Sequence, residues 1–292
     1  MKIADRFEYM AEWFQASKYT SSLVWFRKYS GGRRWKRLMK RQMFWLSDQN
    51  AGDYLSRIVV TKAARHLGLK SMRHSEGIGR LLAIGSILHY ARDGDVIWGT
   101  GVNGKVKMDK HRFTQLDVRM VRGPLTRKFL TDRGISVEPL YGDPALLLPY
   151  LCPEYTRAPV PGKIILIPNI NDLPFCNDIH PNSVQLISPM MHWKSMLAEI
   201  LTSELVITSS LHGIVLSEAF GVPVRFVMPV GGETLFKYRD YYQGTGRDIL
   251  DVPTAITGQL GPESGVSLPP PVYDVETMLG TFPRDLYRQH RS

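Results

Sequence analysis

The chain has 292 residues, 43% of them apolar and 10% aromatic, enough for a packed core and for one large domain or two of ordinary size. Its two cysteines, Cys152 and Cys176, exclude a disulfide framework or a cysteine-built zinc cluster, and each is expected as a small buried side chain. The net charge of +10 is unevenly spread, which points to an anionic partner for one segment rather than to a uniformly basic surface.

That segment is "RKYSGGRRWKRLMKRQ", Arg27 to Gln42, with eight Lys or Arg, no acid, and Trp35, Leu38 and Met39 interleaved. Residues 1–44 are expected to form a basic amphipathic helical preface that meets an anionic membrane surface, each cation near the headgroups contributing roughly 1 kcal/mol. A solvated basic helix is the plainer alternative. No nucleic-acid motif accompanies the charge, so no nucleic-acid partner is expected. The start, "MKIADRFEYMAEWFQ", lacks a continuous apolar stretch of the secretory kind, and no run of about 18 uncharged apolar residues occurs. The expected location is cytoplasmic, peripheral on the inner face of the membrane.

From Asn50 the pattern becomes globular. Leu55, Ile58, Val59 and Ala63 fall near helical spacing, and Gly68 supplies a stop. "RLLAIGSILHYA" is an apolar run broken by Gly-Ser, and "DVIWGTGVNG" is a strand, Asp95 to Trp98, opening into a glycine-rich loop. "LDVRMVRGPLTRKFLTDRG" predicts a strand and then a helix from Pro124 to Gly134, and "VEPLYGDPALLLP" a further strand and turn. Prolines 153, 159 and 161 mark a linker at 153–162. After it "KIILIPNIND" opens a new strand, followed by the helix "HWKSMLAEILTS", the strand "LVITSS", the helix "LHGIVLSEAFG" and the strand "PVRFVMP". Strands rich in β-branched residues that alternate with helices predict parallel sheets covered by helices. The expected fold class is α/β, with a Rossmann-like domain over 45–152 facing a second over 163–292 across a cleft.

Ligands of such sheets bind beyond the carboxyl ends of the strands. "WGTGVNGK", "YGDPAL" and "TSSLHG" stand at such ends. In the last, Ser209 and Ser210 can cap a helix whose first-turn N–H groups, including that of Leu211, form an anion site. His212 in that turn is biased toward neutral imidazole, which can take and return a proton near pH 7. Packing against a neighbouring strand is the alternative use of the same ring. Lys105 follows three glycines without the spacing of a P-loop or of G-x-G-x-x-G. Arg119 and Arg122 sit on a strand expected to be buried, where a guanidinium needs an anion, so Arg122 is the expected carboxylate or phosphate clamp. Asp143 reads as turn chemistry. Asn50 and Asp53 precede a helix, either as caps or as contacts to sugar hydroxyls. The histidines show no zincin spacing, and no metal site is expected.

Together, "NAGDYLS", "LLAIGSILHYARDGDVIWGTGVNGK", "HRFTQLDVRMVRGPLTRKFL", "YGDPALLLP" and "SSLHGIVLSEAFGVPV" resemble, in order, the polysaccharide pyruvyl transferase family, and among its members the ketal pyruvate transferases of exopolysaccharide synthesis. The resemblance implies a GT-B-like fold. It implies phosphoenolpyruvate as co-substrate with no other cofactor, and as acceptor a sugar of an undecaprenyl-diphosphate-linked oligosaccharide whose two hydroxyls become bridged by a pyruvate ketal as phosphate leaves. It makes His212 catalytic and places Arg122, Ser209, Ser210, Leu211 and Lys105 on the donor. Asn50, Asp53, His89 and His111 are expected on the acceptor side. Where some members carry Arg before Leu-His this chain has Ser210, which leaves Lys105, Arg119 or Lys237 to supply the positive charge. Two other readings compete: a nucleotide-sugar glycosyltransferase in which Glu218 contacts a ribose, and a non-catalytic sugar- or lipid-binding component of polymer assembly.

Overall fold

The computed structural model describes residues 23–24, 51–70, 80–176, 184–248, 254–257 and 260–287. Two four-stranded sheets, each wholly parallel, organise them. The first has the order β1 (Leu23–Val24), β2 (Leu81–Leu82), β3 (Val96–Trp98) and β4 (Asp117–Met120). In the second, β6 (Gln185–Leu186), β5 (Ile164–Ile167), β7 (Leu205–Thr208) and β8 (Val224–Phe226) lie side by side in that order.

The period-2 alternation of the strands decides the layers. Leu81, Val96 and Trp98 point to one side of the first sheet, and Ile165, Ile167 and Val206 to one side of the second. These residues belong to a single apolar cluster with helix α1 (Ala51–His66), whose Tyr54, Leu55, Ile58, Val59 and Ala63 are all buried. The alternate residues Leu82, Ile97 and Val121 form a second cluster, and Leu166, Ile207 and Val227 a third. Both faces of each sheet are therefore covered, as parallel sheets require. Helix α1 ends as its glycine predicts: Gly68 takes φ +68°, and Leu69 N–H closes back on the Ala64 carbonyl.

Among the described residues the remaining helices are α2 (Pro124–Thr131), the short α3 (Leu148–Leu151), α4 (Trp193–Leu201), α5 (Leu211–Ala219), α6 (Phe236–Gly244) and α7 (Val275–Gly280). The proline-rich segment is tied along the end of α4, where Ala158 and Val160 donate to the carbonyls of Leu201 and Thr202. Both cysteines are free and buried. Among the described residues no helix is long and apolar enough to cross a membrane.

Three expectations change. Leu23–Val24, inside the supposed helical preface, pairs with Leu81–Leu82 as an edge strand, which their β-branched and leucine character suits. Of the rest of 1–44 and its basic run, all lies outside the described residues. The strand expected in "VEPLYGDPALLLP" shrinks to a single bridge from Tyr141 to Val121, because Asp143 and Pro144 turn the chain at once into a 3₁₀ turn over Pro144–Leu147. The tail, expected with the second domain, crosses back: Trp98 donates to Thr281 Oγ1 at 3.1 Å, and its ring meets Phe282 edge-on at 4.9 Å.

Helix α6 joins the two sheets. On one side Tyr238 stacks on Phe226 of β8 at 4.5 Å. On the other, Asp240 accepts from Arg122, just past β4, at 3.0 Å, and from both N–H and hydroxyl of Thr126 in α2. The chains cross in contact there: a Cβ on Gly123 would lie 1.7 Å from the Asp240 carbonyl oxygen, and one on Gly244 2.2 Å from that of Arg122. The Arg122 and Asp240 side chains are 1% and 0% exposed. Removing one member of such a pair strands a buried charge, at about 3–5 kcal/mol, whereas replacing both with apolar groups costs less. Asp240→Ala is accordingly expected to lose about 3–5 kcal/mol in urea unfolding, and the double change Arg122→Met with Asp240→Leu clearly less. A loss below about 1 kcal/mol in the single variant would contradict this role.

Candidate functional site

Strand β7 delivers the chain to Ser209 and Ser210, and α5 begins at once. Thr208 Oγ1 donates to the Ile167 carbonyl and accepts from Ser210 N–H, which fixes the turn. Gly213 lets the helix approach, since a Cβ there would sit 2.4 Å from Thr208 Oγ1. Ser210 is the N-cap, its hydroxyl facing Gly213 N–H at 3.5 Å. His212 is thus the second residue of α5, at its positive end.

The imidazole rests on the first turn of α1. A Cβ on Gly52 would fall 2.2 Å from His212 Nδ1, so only glycine admits the ring there. Nε2 is shielded and has no hydrogen-bond partner among the described residues. Burial first, then the charges of Lys237 and Arg122, push its pKa down to about 3 from 6.5. The ring is neutral at pH 7, but burial and the two cations, not the helix end named from sequence, account for it, and they set its pKa well below the near-neutral range expected there.

His212 lines a cavity of about 350 Å³ between the two sheets. The first-sheet side supplies Ser86, His89, Asn103 and Lys105. Asn169, Asn171, Ser210, Leu211, Glu233 and Lys237 close it from the other side. Lys237 is buried, which lowers its pKa, while Glu233, 2.8 Å from its Nζ, opposes that shift. Glu233 also pairs with Lys105 and accepts from Asn171 Nδ2 at 2.8 Å.

Of the residues read from sequence, His212, Ser210, Leu211, Lys105 and His89 meet in this cavity. Arg122 does not open into it. Its guanidinium is occupied by Asp240, by the Val102 carbonyl at 2.8 Å and by Ser86 Oγ at 2.6 Å, so it touches the cavity only through Ser86. Ser209 is fully buried: its hydroxyl donates to Asp172 at 2.5 Å and accepts from Asn169 N–H at 2.9 Å, tying loops together instead of meeting a ligand. His111 sits behind His89, walled by Phe129 at 4.8 Å, and burial lowers the pKa of both rings. Asn50 lies outside the described residues, and Asp53 falls in the first turn of α1 with its side chain likewise outside them.

Among the three cations considered for the place of the absent arginine, Lys105 and Lys237 line the cavity, whereas Arg119 is bound to Asp117 and Asp285. Glu218 is held by Arg247 and by the Tyr241 hydroxyl, away from the cavity, which removes the residue that the nucleotide-sugar reading needs. Asp143 caps Ala145, and burial raises its pKa to about 6. Sequence reasoning passed over Glu233 and Asn171. The signals present were "NIND" at the carboxyl end of a strand and "GGETLFK", which sets an acid four residues before Lys237. No group of three or more His, Cys, Asp or Glu able to hold a metal occurs among the described residues.

The sequence model of the polysaccharide pyruvyl transferase family matches residues 15–229. The succinoglycan biosynthesis protein ExoV of Rhizobium meliloti (strain 1021) is 29% identical over 177 residues, 57% of this chain and 54% of its own. The chain thus spans about half the length of this curated relative. A crystal structure of a functionally uncharacterised protein of Klebsiella pneumoniae subsp. pneumoniae NTUH-K2044 covers 87% of this chain and 98% of its own, at 15% identity and a TM-score of 0.43.

The low pKa of His212 has a consequence for stability. The unfolded chain binds a proton near pH 6.5 that the folded chain refuses until about 3, so its contribution is complete above 6.5 and is lost as pH falls through that window. Melting temperature is expected to drop between pH 7 and pH 5, and to drop less steeply in His212→Gln. Parallel slopes in the two proteins would count against the buried neutral ring.

Proposed function

The chain belongs to the polysaccharide pyruvyl transferase family, and from that premise we propose that it transfers pyruvate from phosphoenolpyruvate, as a ketal, to two hydroxyls of one sugar in a lipid-linked exopolysaccharide repeat unit, releasing phosphate. The single observation that carries this reading is a neutral His212, its Nε2 unpartnered among the described residues, on the wall of a cavity that also holds Lys105 and Lys237. A donor with a carboxylate and a phosphate needs cations and helix-start N–H groups, and its chemistry needs one group that moves protons. The name of the Rhizobium relative, a protein of succinoglycan biosynthesis, agrees with an exopolysaccharide setting.

The steps balance without oxidant or metal. One sugar hydroxyl oxygen bonds to the central carbon of the enol phosphate, and its proton ends on the methylene carbon, which becomes methyl. The second hydroxyl oxygen then bonds to the same carbon as the bond to the phosphate oxygen breaks, and its proton leaves with phosphate. His212 relays the first proton from oxygen to carbon. Its low basicity reflects burial and the nearby cations, and a bound anion offsets those cations and raises its affinity for a proton. Lys105 and Lys237 hold the anionic groups. Ser210 and Leu211 offer the start of α5. His89 and Asn103, with Asp53 at the start of α1, serve the acceptor. The two sheets are read as the Rossmann-like domains of a GT-B-like enzyme, working at the inner face of the cytoplasmic membrane on an undecaprenyl-diphosphate-linked acceptor.

The direct test incubates oligosaccharide acceptors with phosphoenolpyruvate and looks by mass for a carboxyethylidene adduct together with free phosphate. Nucleotide release from a sugar nucleotide, with no phosphate from phosphoenolpyruvate, would overturn the reading. His212→Ala is expected to lower turnover about 10²–10⁴-fold with the fold retained, and near-normal turnover would remove it from the mechanism. Membrane attachment is tested by changing the Lys and Arg of 27–42 to Gln and measuring flotation with anionic vesicles. Charge substitution serves better than trimming 1–44, which would also delete the β1 edge strand. Flotation is expected to fall, and unchanged flotation would reject the basic run as the anchor.

A further inference from the structure

Glu233 is not explained by the transfer chemistry. Its side chain is 4% exposed, yet it faces a cavity assigned above to an anionic donor. Its Oε1 pairs with Lys105 and accepts from Asn171, and its Oε2 stands 2.8 Å from Lys237 Nζ. Both ammonium groups of the cavity thus already hold a carboxylate that the protein itself supplies.

The pairing also spans the cavity. Lys105 follows β3 in the first sheet's half, while Glu233 lies between β8 and α6 of the other. The two segments meet closely: a Cβ on Gly104, next to Lys105, would lie 2.5 Å from that of Phe236, which follows Glu233. A surface ion pair of this kind would be worth little, but a shielded carboxylate between two cations resists displacement. The buried Lys237 needs an anion beside it at all times, because an isolated buried charge is costly.

We propose that Glu233 is a resident counter-ion which the donor must replace, so that binding is an exchange of one anion for another at Lys105 and Lys237. This inference rests on the functional reading above. Until it is replaced, Glu233 keeps the two ammonium groups aligned on one carboxylate. It also makes the cavity selective. A ligand with a single weakly held anionic group regains too little to displace Glu233, whereas one carrying both a phosphate and a carboxylate gives each ammonium group a new anion. Glu233 is here a specificity-determining residue, and it takes no part in bond making.

The test measures binding of inorganic phosphate, and separately of phosphoenolpyruvate, by titration calorimetry on the full chain. Exchange requires Glu233→Gln to bind phosphate about tenfold tighter or more, since the competing charge is gone. It also requires Lys105→Gln to cost more affinity in the Glu233→Gln background than in the native one, because in the native protein Lys105 must first give up Glu233. Equal or weaker phosphate binding by Glu233→Gln would overturn the proposal and make Glu233 a positioning residue for Lys237. If Gln lowers the melting temperature, Glu233→Asp carries the same comparison, as the shorter side chain cannot span both ammonium groups. The two readings separate cleanly. Tighter phosphate binding without any ketal product keeps the exchange and removes pyruvyl transfer, and ketal product with unaltered phosphate binding does the reverse.

Discussion

The buried contact between Arg122 and Asp240 is the constraint on which the cavity depends. Neither side chain meets solvent, and each satisfies further groups: Arg122 the Val102 carbonyl and Ser86, Asp240 the N–H and hydroxyl of Thr126. Gly123 and Gly244 allow the two backbones to touch at that point. Because α6 also carries Lys237 and packs Tyr238 against Phe226, the pair sets where one wall of the cavity stands relative to the other. An ion pair in this position contributes specificity of arrangement more than net stability, since the desolvation of both groups offsets much of their attraction.

The chemistry of the cavity follows from burying an uncharged ring near cations. The charges of Lys237 and Arg122 act on His212, while Asp240 pairs with Arg122 and Glu233 with Lys237 and Lys105. Burial first, and these charges after it, depress the basicity of the imidazole, so the ring is held unprotonated. Arg122 acts on His212 through space while its own donors are spent elsewhere. It shapes the potential of the site without presenting a hydrogen bond to it.

Local signals are legible where chemistry and periodicity coincide. The continuous apolar runs at 164–167, 205–208 and 96–98 announce strands covered on both faces, and "TSSLHG" announces a strand-to-helix turn with a histidine at the positive end of a helix. Pairings remote in sequence are not legible. Arg122 reads as a ligand clamp because its true partner lies 118 residues away. Ser209 reads as a cap, but Asp172, itself bound by the N–H groups of Val230 and Gly231, claims its hydroxyl. Leu23–Val24 carries too little pattern in two residues to stand out from the basic sequence around it. Glu233 is hidden for the same reason as the partner of Arg122: its importance comes from Lys105, 128 residues earlier.

The return of the tail to Trp98 also governs how the molecule is made. The indole N–H of this strand residue finds its acceptors 180 and 183 positions later, at the Met278 carbonyl and the Thr281 hydroxyl. At ribosomal speeds of about 5–20 residues per second, the partners arrive roughly 10–40 s after the tryptophan itself. Throughout that interval the first half of the nascent chain keeps an unsealed aromatic seam, which α7 and Thr281 close. The amino-terminal half is therefore completed only by a segment made about 180 residues after its own strand.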